Sequence, residues 1–269
     1  MLNLVKSALL AAILAGLAGG FGWLLAGTRG AALFAISALL CAVAAVWVGD
    51  RALLGMLGAR PYALAEDPLL RSTVDRVAAQ VGVTPPKLYL LDDGFPRAFV
   101  VGRGPRSSSL AVSAGLLGAL LPRELEAVLA HELTHVRSRD VLVQTVAVLF
   151  ATTLVETSRL GGWFSRGLLY VFAPVAAAFV HLLLSPRREL AADAAAARIA
   201  GWENVADALL RLDRAGDLVQ FHASPTTEPL YTVSPFDTDD RLTRMFVTHP
   251  PLAERVRRLG GGTPQPPDG

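Results

Sequence analysis

The sequence has almost no cysteine and no dense run of basic residues. Its one cysteine, Cys41, lies inside an apolar stretch, which excludes a disulfide network and a zinc site built from several thiolates. Lysine and arginine total 25 against 23 aspartate and glutamate, which leaves a formal net charge of +2. This near balance gives no reason to expect a nucleic-acid partner. Any metal site must therefore use histidine and carboxylate ligands.

What the chain has in abundance is apolar sequence. Hydrophobic residues make up 52% of it and its mean hydropathy is +0.44, which favours a membrane protein. Two N-terminal stretches, Ala8 to Ala26 and Ala31 to Val48, each approach the roughly 20 apolar helical residues that cross a bilayer. A cleaved signal peptide is the alternative for the first stretch, because Lys6 precedes it and small residues lie around Gly27.

Two weaker apolar segments follow downstream. Val141 to Val155 carries Gln144, and Gly167 to Leu184 carries Pro174 and His181. Membrane helices and buried helices of a soluble domain are both compatible with these lengths and compositions.

Positive charge predicts the orientation of the chain in the membrane. Basic residues concentrate at the segment ends expected on one side, and the opposite loops hold few of them. Because cytoplasmic loops are rich in lysine and arginine, the basic side should face the cytoplasm. The basic side has Lys6, Arg51, Arg60, Arg137, Arg139, Arg187, Arg188 and Arg198, and the other side has Arg29, Arg159 and Arg166.

Residues 52–140 are predicted to form a soluble segment between the apolar pairs. A helix is indicated from Leu69 to Val81, with Asp67 as N-cap and Pro68 in its first turn. A second helix begins near Pro122 and contains "AVLAHELTHVR". Between them, turn-forming sequences separate three short strands. These strands are "KLYLL" (87–91), "AFVVG" (98–102) and "SLAVS" (109–113).

The segment "HELTH" on the second helix predicts a zinc site. His131 and His135 are about one helical turn apart, so both side chains project from one face and can bind one ion. Glu132 is offset by about 100° and can address a water molecule on that ion. A catalytic zinc takes a third protein ligand and keeps one position open for water.

The segment "SPRRELAAD" (185–193) offers the third ligand. Ser185 and Pro186 are typical of a helix start, and Glu189 and Asp193 then share one helical face. Glu189 is predicted to bind the metal, and Asp193 to accept a hydrogen bond from a ligand imidazole. Since both helices must reach one ion, the chain between them crosses the membrane twice or not at all.

These observations predict an α-helical membrane protein with a small α+β zincin catalytic domain, about four transmembrane helices and a short three-stranded sheet. In this interpretation a transmembrane hairpin separates the two halves of one peptidase domain. The predicted parts are residues 1–51 (N-terminal transmembrane hairpin), 52–140 (first half, with the histidine helix), 141–184 (second transmembrane hairpin), 185–259 (second half, with the third ligand) and 260–269 (disordered tail).

Five motifs, in this order, carry a resemblance to a known family. They are "PRAFVVG" (96–102), "LAVSAGLL" (110–117), "ELEAVLAHELTHVRSRD" (124–140), "RRELAAD" (187–193) and "THPPLAERVRRL" (248–259). Over most of residues 60–259 the chain resembles the HtpX-like integral-membrane zinc metallopeptidases, which are related to the CAAX prenyl proteases. The resemblance implies a gluzincin-like domain in which His131, His135 and Glu189 bind one zinc ion per chain. It also implies that Glu132 is the catalytic base.

The chain departs from this family at two positions. Arg97 stands where these enzymes usually have asparagine, which puts a polar substrate contact there in doubt. Pro186 stands where an arginine commonly follows Ser185, a change compatible with helix initiation.

Three features near the C-terminus can each be interpreted in two ways. His249 and Arg255 either reach the scissile carbonyl and the surroundings of the metal, or belong to a helix entry and a surface ion pair. The acidic, turn-rich segment 214–245 either borders the cleft or covers it.

The expected function is zinc-dependent endopeptidase cleavage of membrane or misfolded proteins, in protein quality control. The protein should be a multi-pass component of the cell (inner) membrane, with its active site at the cytoplasmic face. The resemblance implies that substrates bind extended beside an edge strand, for which 98–102 and 109–113 are candidates. The alternative is a zinc-binding membrane scaffold that holds unfolded segments without cutting them.

Overall fold

The structure is a computed structural model that describes residues 2–62, 68–159, 165–219, 224–234 and 241–260. Most of the elements are helical, and a 3-10 helix, Pro225–Leu230, lies between α8 and α9. The α-helices are α1 (Leu2–Met56), α2 (Pro68–Val81), α3 (Ala114–Ala119), α4 (Pro122–Arg137), α5 (Asp140–Arg159), α6 (Ser165–Leu183), α7 (Pro186–Ala200), α8 (Trp202–Asp217), α9 (Arg241–Arg244) and α10 (Leu252–Leu259). The strands are β1 (Arg60–Pro61), β2 (Lys87–Leu91), β3 (Ala98–Gly104) and β4 (Ser107–Ser113).

Helix α1 is a hairpin of two arms and not a straight rod. Its backbone leaves helical geometry at Gly27, where φ is 61°. Residues eight positions apart in a continuous helix are separated by about 12 Å. A Cβ atom placed on Gly22 would nevertheless lie 2.3 Å from the carbonyl oxygen of Gly30, and the rings of Phe21 and Phe34 are 5.8 Å apart. The arms therefore run antiparallel in close contact, where only glycine fits.

The two predicted N-terminal apolar stretches, residues 8–26 and 31–48, fall on the two arms of α1. Among the described residues one helical stretch, Ala18–Ala44, is long and apolar enough to cross a membrane, and only 6% of it is buried. The reversal at Gly27 lies inside this stretch. Helix α4 and residues 140–156 of α5 pass the same test only as a joined pair, which is bent by 91°. The predicted number of four transmembrane helices is thus not confirmed.

The sheet has four strands in the order β1-β2-β4-β3, one more than predicted. The additional strand β1 is 2 residues long and pairs antiparallel with β2, too short to leave a pattern in the sequence. Strand β4 pairs in parallel with β2 and antiparallel with β3. Because β4 uses both of its edges, residues 109–113 are not an edge strand, and 98–102 in β3 is the candidate that lies at an edge.

Alternating side chains of the sheet pack into two cores. On one face, Val100 and Leu110 belong to a core that also includes buried residues of α2, α4 and α8. Phe99 and Ala111 pack with the end of α1 and with α5 on the other face. This period of two matches the strand pattern expected from the sequence. The sheet is therefore a middle layer, and the histidine helix α4 lies directly on it.

Helices α5 and α6 pack against each other through small side chains. Ala147 of α5 and Ala176 of α6 are fully buried between them. On the outer side of α6, Val175 and Leu182 are 53% and 67% exposed. The pair therefore has an apolar outer surface as well as an apolar interior.

The first turns of α5 are enclosed by protein. Gln144 donates a hydrogen bond to the Pro229 carbonyl at 2.6 Å, and the hydroxyls of Thr152 and Thr226 are 2.8 Å apart. The 3-10 helix thus lies along α5 from residue 144 to residue 152. Over these turns α5 is covered by protein.

Helices α2 and α7 begin where the sequence predicted. Helix α2 runs from Pro68 to Val81, although its predicted N-cap, Asp67, lies outside the described residues. The Ser185 hydroxyl accepts a hydrogen bond from the Arg187 N–H at the start of α7. Of the predicted disordered tail, only Gly260 belongs to the part of the chain that the structure describes.

Candidate metal centre

The helix that carries the two histidines, α4, is fixed at its start and along one face. The Glu124 carboxylate accepts a hydrogen bond from the Leu121 N–H at 2.8 Å, which satisfies one of the N–H groups at the helix start. Leu129 is fully buried in the core beneath the sheet. With this face held, His131 and His135 project together from the other side of the helix.

Helix α7 brings Glu189 to the two histidines. The Nε2 atoms of His131 and His135 are 3.3 Å apart. Oε2 of Glu189 lies 3.4 Å from the first nitrogen and 3.6 Å from the second. All three residues are at most 4% exposed.

These spacings fit a tetrahedral metal ion. With bonds of about 2.0 to 2.2 Å, neighbouring ligand atoms of a tetrahedral zinc site are about 3.3 to 3.6 Å apart. The donor set of two imidazoles and one carboxylate is also a typical catalytic zinc set. Three protein donors leave the fourth position open for water.

A buried carboxylate, Asp193, lies beside His131 on the side away from the metal-facing nitrogen. Nδ1 of His131 lies 2.9 Å from Asp193 Oδ1, and a proton held there leaves Nε2 bare for a metal. Arg255 of α10 donates from Nε and Nη2 to the two Asp193 oxygens at 2.8 and 2.7 Å, and from Nη1 to the Thr232 carbonyl. Arg255 is 2% exposed, so the interpretation as a surface ion pair is wrong.

At His131, Asp193 and Glu189 the neighbouring charges shift the pKa more strongly than burial does. Burial alone would lower the pKa of His131, but Asp193 and Glu189 raise it to about 9. Burial alone would raise the pKa of Asp193, but Arg255 and His131 hold it below its usual range. Burial alone would also raise the pKa of Glu189, but the charges of His135 and His249 lower it well below its usual value. A metal ion must therefore displace a proton as it binds.

Glu132 lies beside the ligand group and does not belong to it. Its side chain is 3% exposed, and Oε1 accepts a hydrogen bond from the Thr232 hydroxyl at 2.9 Å. Burial raises the pKa of Glu132, against the opposing effect of the two nearby histidines. Thr232 follows the 3-10 helix, so this residue of the segment 214–245 borders the centre.

The second oxygen of Glu189 is also engaged. Oε1 lies 3.4 Å from Nε and 3.2 Å from Nη2 of Arg188, both of which donate to it. Nη2 of Arg188 also donates to Gln144 Oε1 of α5 at 3.2 Å. Arg188 therefore connects the metal-facing carboxylate on α7 to the helix hairpin of α5 and α6.

His249 reaches the same centre from the opposite side. Its Nε2 lies 3.6 Å from Glu189 Oε2, and its Nδ1 lies 2.8 Å from Oε1 of Glu228. Of its two interpretations, the position at the centre is the one observed. Glu228 had no signal in the sequence, because a single acid in a turn-rich segment has neither periodicity nor motif spacing.

Arg97, the first of the two departures described in the sequence, makes contacts outside the metal centre. Its Nη2 donates to Asp93 at 2.5 Å and its Nη1 to the Tyr231 hydroxyl at 3.2 Å. The side chain is 6% exposed. Arg97 therefore links the loop before β3 to the end of the 3-10 helix.

A sequence profile described as peptidase family M48 matches residues 64–262. This chain belongs to peptidase family M48. A Protease HtpX homolog from Acidiphilium cryptum (strain JF-5) is 39% identical over 282 residues, with 96% of each chain covered. Protease HtpX from Legionella pneumophila (strain Corby) is 34% identical over 281 residues, covering 96% of this chain and 99% of its own.

A solved structure has a similar fold. The crystal structure of S. mikatae Ste24p matches this M48 peptidase with a TM-score of 0.53 and 18% sequence identity. The match covers 96% of this chain and 65% of that structure. At this identity the comparison supports a common fold.

Membership in family M48 makes this protein a metalloprotease, a hydrolase of peptide bonds. M48 metallopeptidases are zinc-dependent, and His131, His135 and Glu189 form a group that can hold a metal ion. Family M48 membership and the HtpX homologues support a membrane protease, in agreement with the exposed apolar surface of α1. The predicted metalloprotease is confirmed, and so is a mostly helical fold with a small sheet, although the sheet is mixed and has four strands instead of three.

Proposed function

We propose that this M48 peptidase is a membrane-bound zinc endopeptidase that cleaves membrane or misfolded proteins at the cytoplasmic face of the cell membrane, in protein quality control. The observation that carries the proposal is the meeting of two imidazoles and one carboxylate at tetrahedral spacing, with Glu132 beside them. Imidazole and carboxylate donors suit zinc, and zinc is the metal we assign to the site.

In the proposed reaction Glu132 transfers the protons. A bound zinc ion would supply a water of pKa near 7 and polarise the substrate carbonyl. Because Oε1 of Glu132 already accepts the Thr232 hydroxyl, Oε2 is the oxygen that takes the proton of the attacking water. Glu132 then gives this proton to the leaving amine. Its raised pKa favours holding the proton between the two steps.

His249 is the group that we assign to the reacting carbonyl oxygen. Its Nε2 points into the centre from outside the ligand group. Because Glu228 takes the Nδ1–H, His249 must be the imidazolium for an Nε2–H to donate to developing negative charge. Burial opposes that form, but the charges of Glu228 and Glu189 raise the pKa of His249 and favour it. Arg255 has its three nitrogens bound to Asp193 and to the Thr232 carbonyl. We therefore assign Arg255 a supporting role and not a contact with substrate.

Strand β3 is the proposed place for an extended substrate. The Thr232 hydroxyl, which donates to Glu132, also lies 3.4 Å from the Ala98 carbonyl oxygen, so the start of β3 lies next to the centre. The Gly102 N–H donates to the Thr145 hydroxyl of α5 at 3.1 Å. Outward backbone groups alternate along a strand, so those of Val100 face the same edge as the Ala98 carbonyl and the Gly102 N–H. Val100 is 0% exposed, so the proposed pairing requires the segments that cover this edge to move aside. Main-chain pairing of this kind tolerates many substrate sequences.

Both arms of α1 and the hairpin of α5 and α6 are the proposed membrane helices. The exposed apolar side chains of α1 and of the outer face of α6 support this assignment. Within the second hairpin, the first turns of α5 are shielded by the 3-10 helix.

The cytoplasmic orientation is supported by arginines at the end of α1. The Arg103 guanidinium lies 4.8 Å from the ring centre of the exposed Trp47, and Arg51 follows Trp47 by one helical turn. Arg139 lies near Gly104, the residue after Arg103, since a Cβ on Gly104 would lie 3.9 Å from its Cγ. Tryptophan and arginine are typical of a cytoplasmic membrane interface.

Labelling of single cysteines tests this orientation. In a Cys41→Ser background, Arg106→Cys is expected to react with a membrane-impermeant maleimide in inside-out vesicles and not in intact spheroplasts. Arg29→Cys, next to the reversal of α1, is the matched control and should react in spheroplasts. The opposite pattern would place the active site outside the cytoplasm.

Removal of the metal tests the peptidase function. Detergent-purified protein should contain one zinc ion per chain and cleave casein. Treatment with 1,10-phenanthroline should remove both zinc and activity, and added zinc should restore both. One zinc per chain without cleavage under any condition would favour the scaffold, and cleavage that survives complete zinc removal would exclude a zinc peptidase.

A further inference from the structure

A buried carboxylate behind His249 has no part in the chemistry described so far. Glu228, in the 3-10 helix, is 0% exposed. Its Oε2 accepts hydrogen bonds from the Thr248 N–H at 3.0 Å and the Thr248 hydroxyl at 2.8 Å. Its Oε1 lies 2.8 Å from Nδ1 of His249. An ionised carboxylate is costly to bury, so its position calls for an explanation.

The two oxygens of Glu228 have different partners. Oε2 fixes the backbone turn that leads into α10, and a neutral side chain could do the same. Oε1 receives the Nδ1–H of the imidazole and so determines which way the ring faces. With Nδ1 held, Nε2 points to the centre, 3.6 Å from Glu189 Oε2.

A matching arrangement exists on the other side of the centre. Asp193 lies 2.9 Å from Nδ1 of His131 and orients a predicted metal ligand. Glu228 stands at 2.8 Å in the same relation to His249, whose Nε2 is outside the group of atoms that can hold the metal. A carboxylate beside Nδ1 is thus also found at an imidazole that faces the open side of the site.

We propose that Glu228 is a positioning residue that sets the rate of peptide cleavage by holding His249 in its reactive orientation. The inference rests on the peptidase function proposed above. Glu228 itself contacts neither the metal ligands nor the substrate strand in this assignment. Its effect should therefore appear in the catalytic step and pass entirely through His249.

A double-mutant cycle tests the proposal. Glu228→Gln, His249→Ala and the double variant are compared with wild type for kcat and KM on a fluorogenic peptide, for zinc content, and for affinity to a peptide phosphonamidate that mimics the tetrahedral transition state. Glu228→Gln should lower kcat by about 10- to 100-fold with KM and zinc nearly unchanged. The double variant should be no slower than His249→Ala alone, because the two residues act as a unit. Affinity for the phosphonamidate should fall together with kcat.

A second buried acid provides the control. Glu124 is 4% exposed and bonds the start of α4, away from the centre, so Glu124→Gln should reduce stability and leave kcat near wild type. If Glu228→Gln fails to fold, Glu228→Asp, which keeps the charge but lengthens the contact with Nδ1, takes its place with the same expectation.

Several results would overturn the role of Glu228. They are wild-type kcat in Glu228→Gln, kcat losses that multiply in the double variant, and an unchanged kcat in His249→Ala. If wild type binds zinc but does not cleave, the proposed peptidase function fails instead. The phosphonamidate affinities then still decide whether Glu228 acts through His249.

Discussion

Replacing Glu132 with glutamine is expected to abolish cleavage while leaving the metal and the fold in place. Glutamine has the same size, and its side-chain oxygen can still accept the Thr232 hydroxyl that Glu132 accepts at 2.9 Å. It cannot take a proton from water. General-base catalysis contributes about 10² to 10⁴-fold, so kcat/KM should fall by this factor. Peptide hydrolysis and zinc content measured on the same preparation test the prediction.

A neighbouring acid on the same helix is the control for Glu132. Glu126 pairs with Arg76, and its side chain is 20% exposed. Glu126→Gln should retain wild-type kcat/KM and zinc. Cleavage by Glu132→Gln at the wild-type rate would remove Glu132 from the mechanism. Loss of zinc from this variant would instead assign Glu132 to the metal ligands.

Replacing Arg255 with methionine is expected to destabilise the protein by about 3 to 5 kcal/mol. Arg255 and Asp193 are both 2% exposed, and their paired hydrogen bonds at 2.8 and 2.7 Å are made without solvent. Methionine fills a similar volume but has no charge. The Asp193 carboxylate therefore stays buried without the cation that Arg255 provides. The free energy of unfolding, measured with denaturant on the detergent-solubilised protein, should show the loss.

A double variant distinguishes the effect on stability from the effect on zinc affinity. Asp193→Leu combined with Arg255→Met removes both charges and should recover much of the lost stability. It should still bind zinc about 10- to 100-fold more weakly, because His131 loses the carboxylate that orients it. Arg258→Met, at an exposed pair with Glu254 on the same helix, should change neither property. Wild-type stability of Arg255→Met, or wild-type zinc affinity of the double variant, would contradict the account.

The site could be predicted largely because its ligands lie on strongly marked helices. The i and i+4 spacing of His131 and His135, and the Ser-Pro start before Glu189, are local signals that tertiary packing did not override. Asp193 followed from its position one turn after Glu189. Local rules were sufficient here because each of these residues is placed by its own helix.

Other parts depended on contacts between distant segments. Glu228 and His249 are 21 positions apart in the sequence, and no periodic pattern predicts that they are in contact. Strand β1 has 2 residues and exists only because β2 offers it an edge. The environment of α5 was undecided between membrane and core, since composition cannot show that the 3-10 helix covers Gln144 and Thr152.

Zinc K-edge X-ray absorption on the purified protein tests the central claim most directly. The account predicts one zinc per chain bound by two imidazole nitrogens and by oxygens from Glu189 and water, at about 2.0 to 2.2 Å. In Glu189→Ala the carboxylate contribution should disappear, while the two imidazoles remain in any zinc still bound. A spectrum with a different number of imidazoles, or one that does not change when Glu189 is replaced, would contradict the assignment of this metal centre.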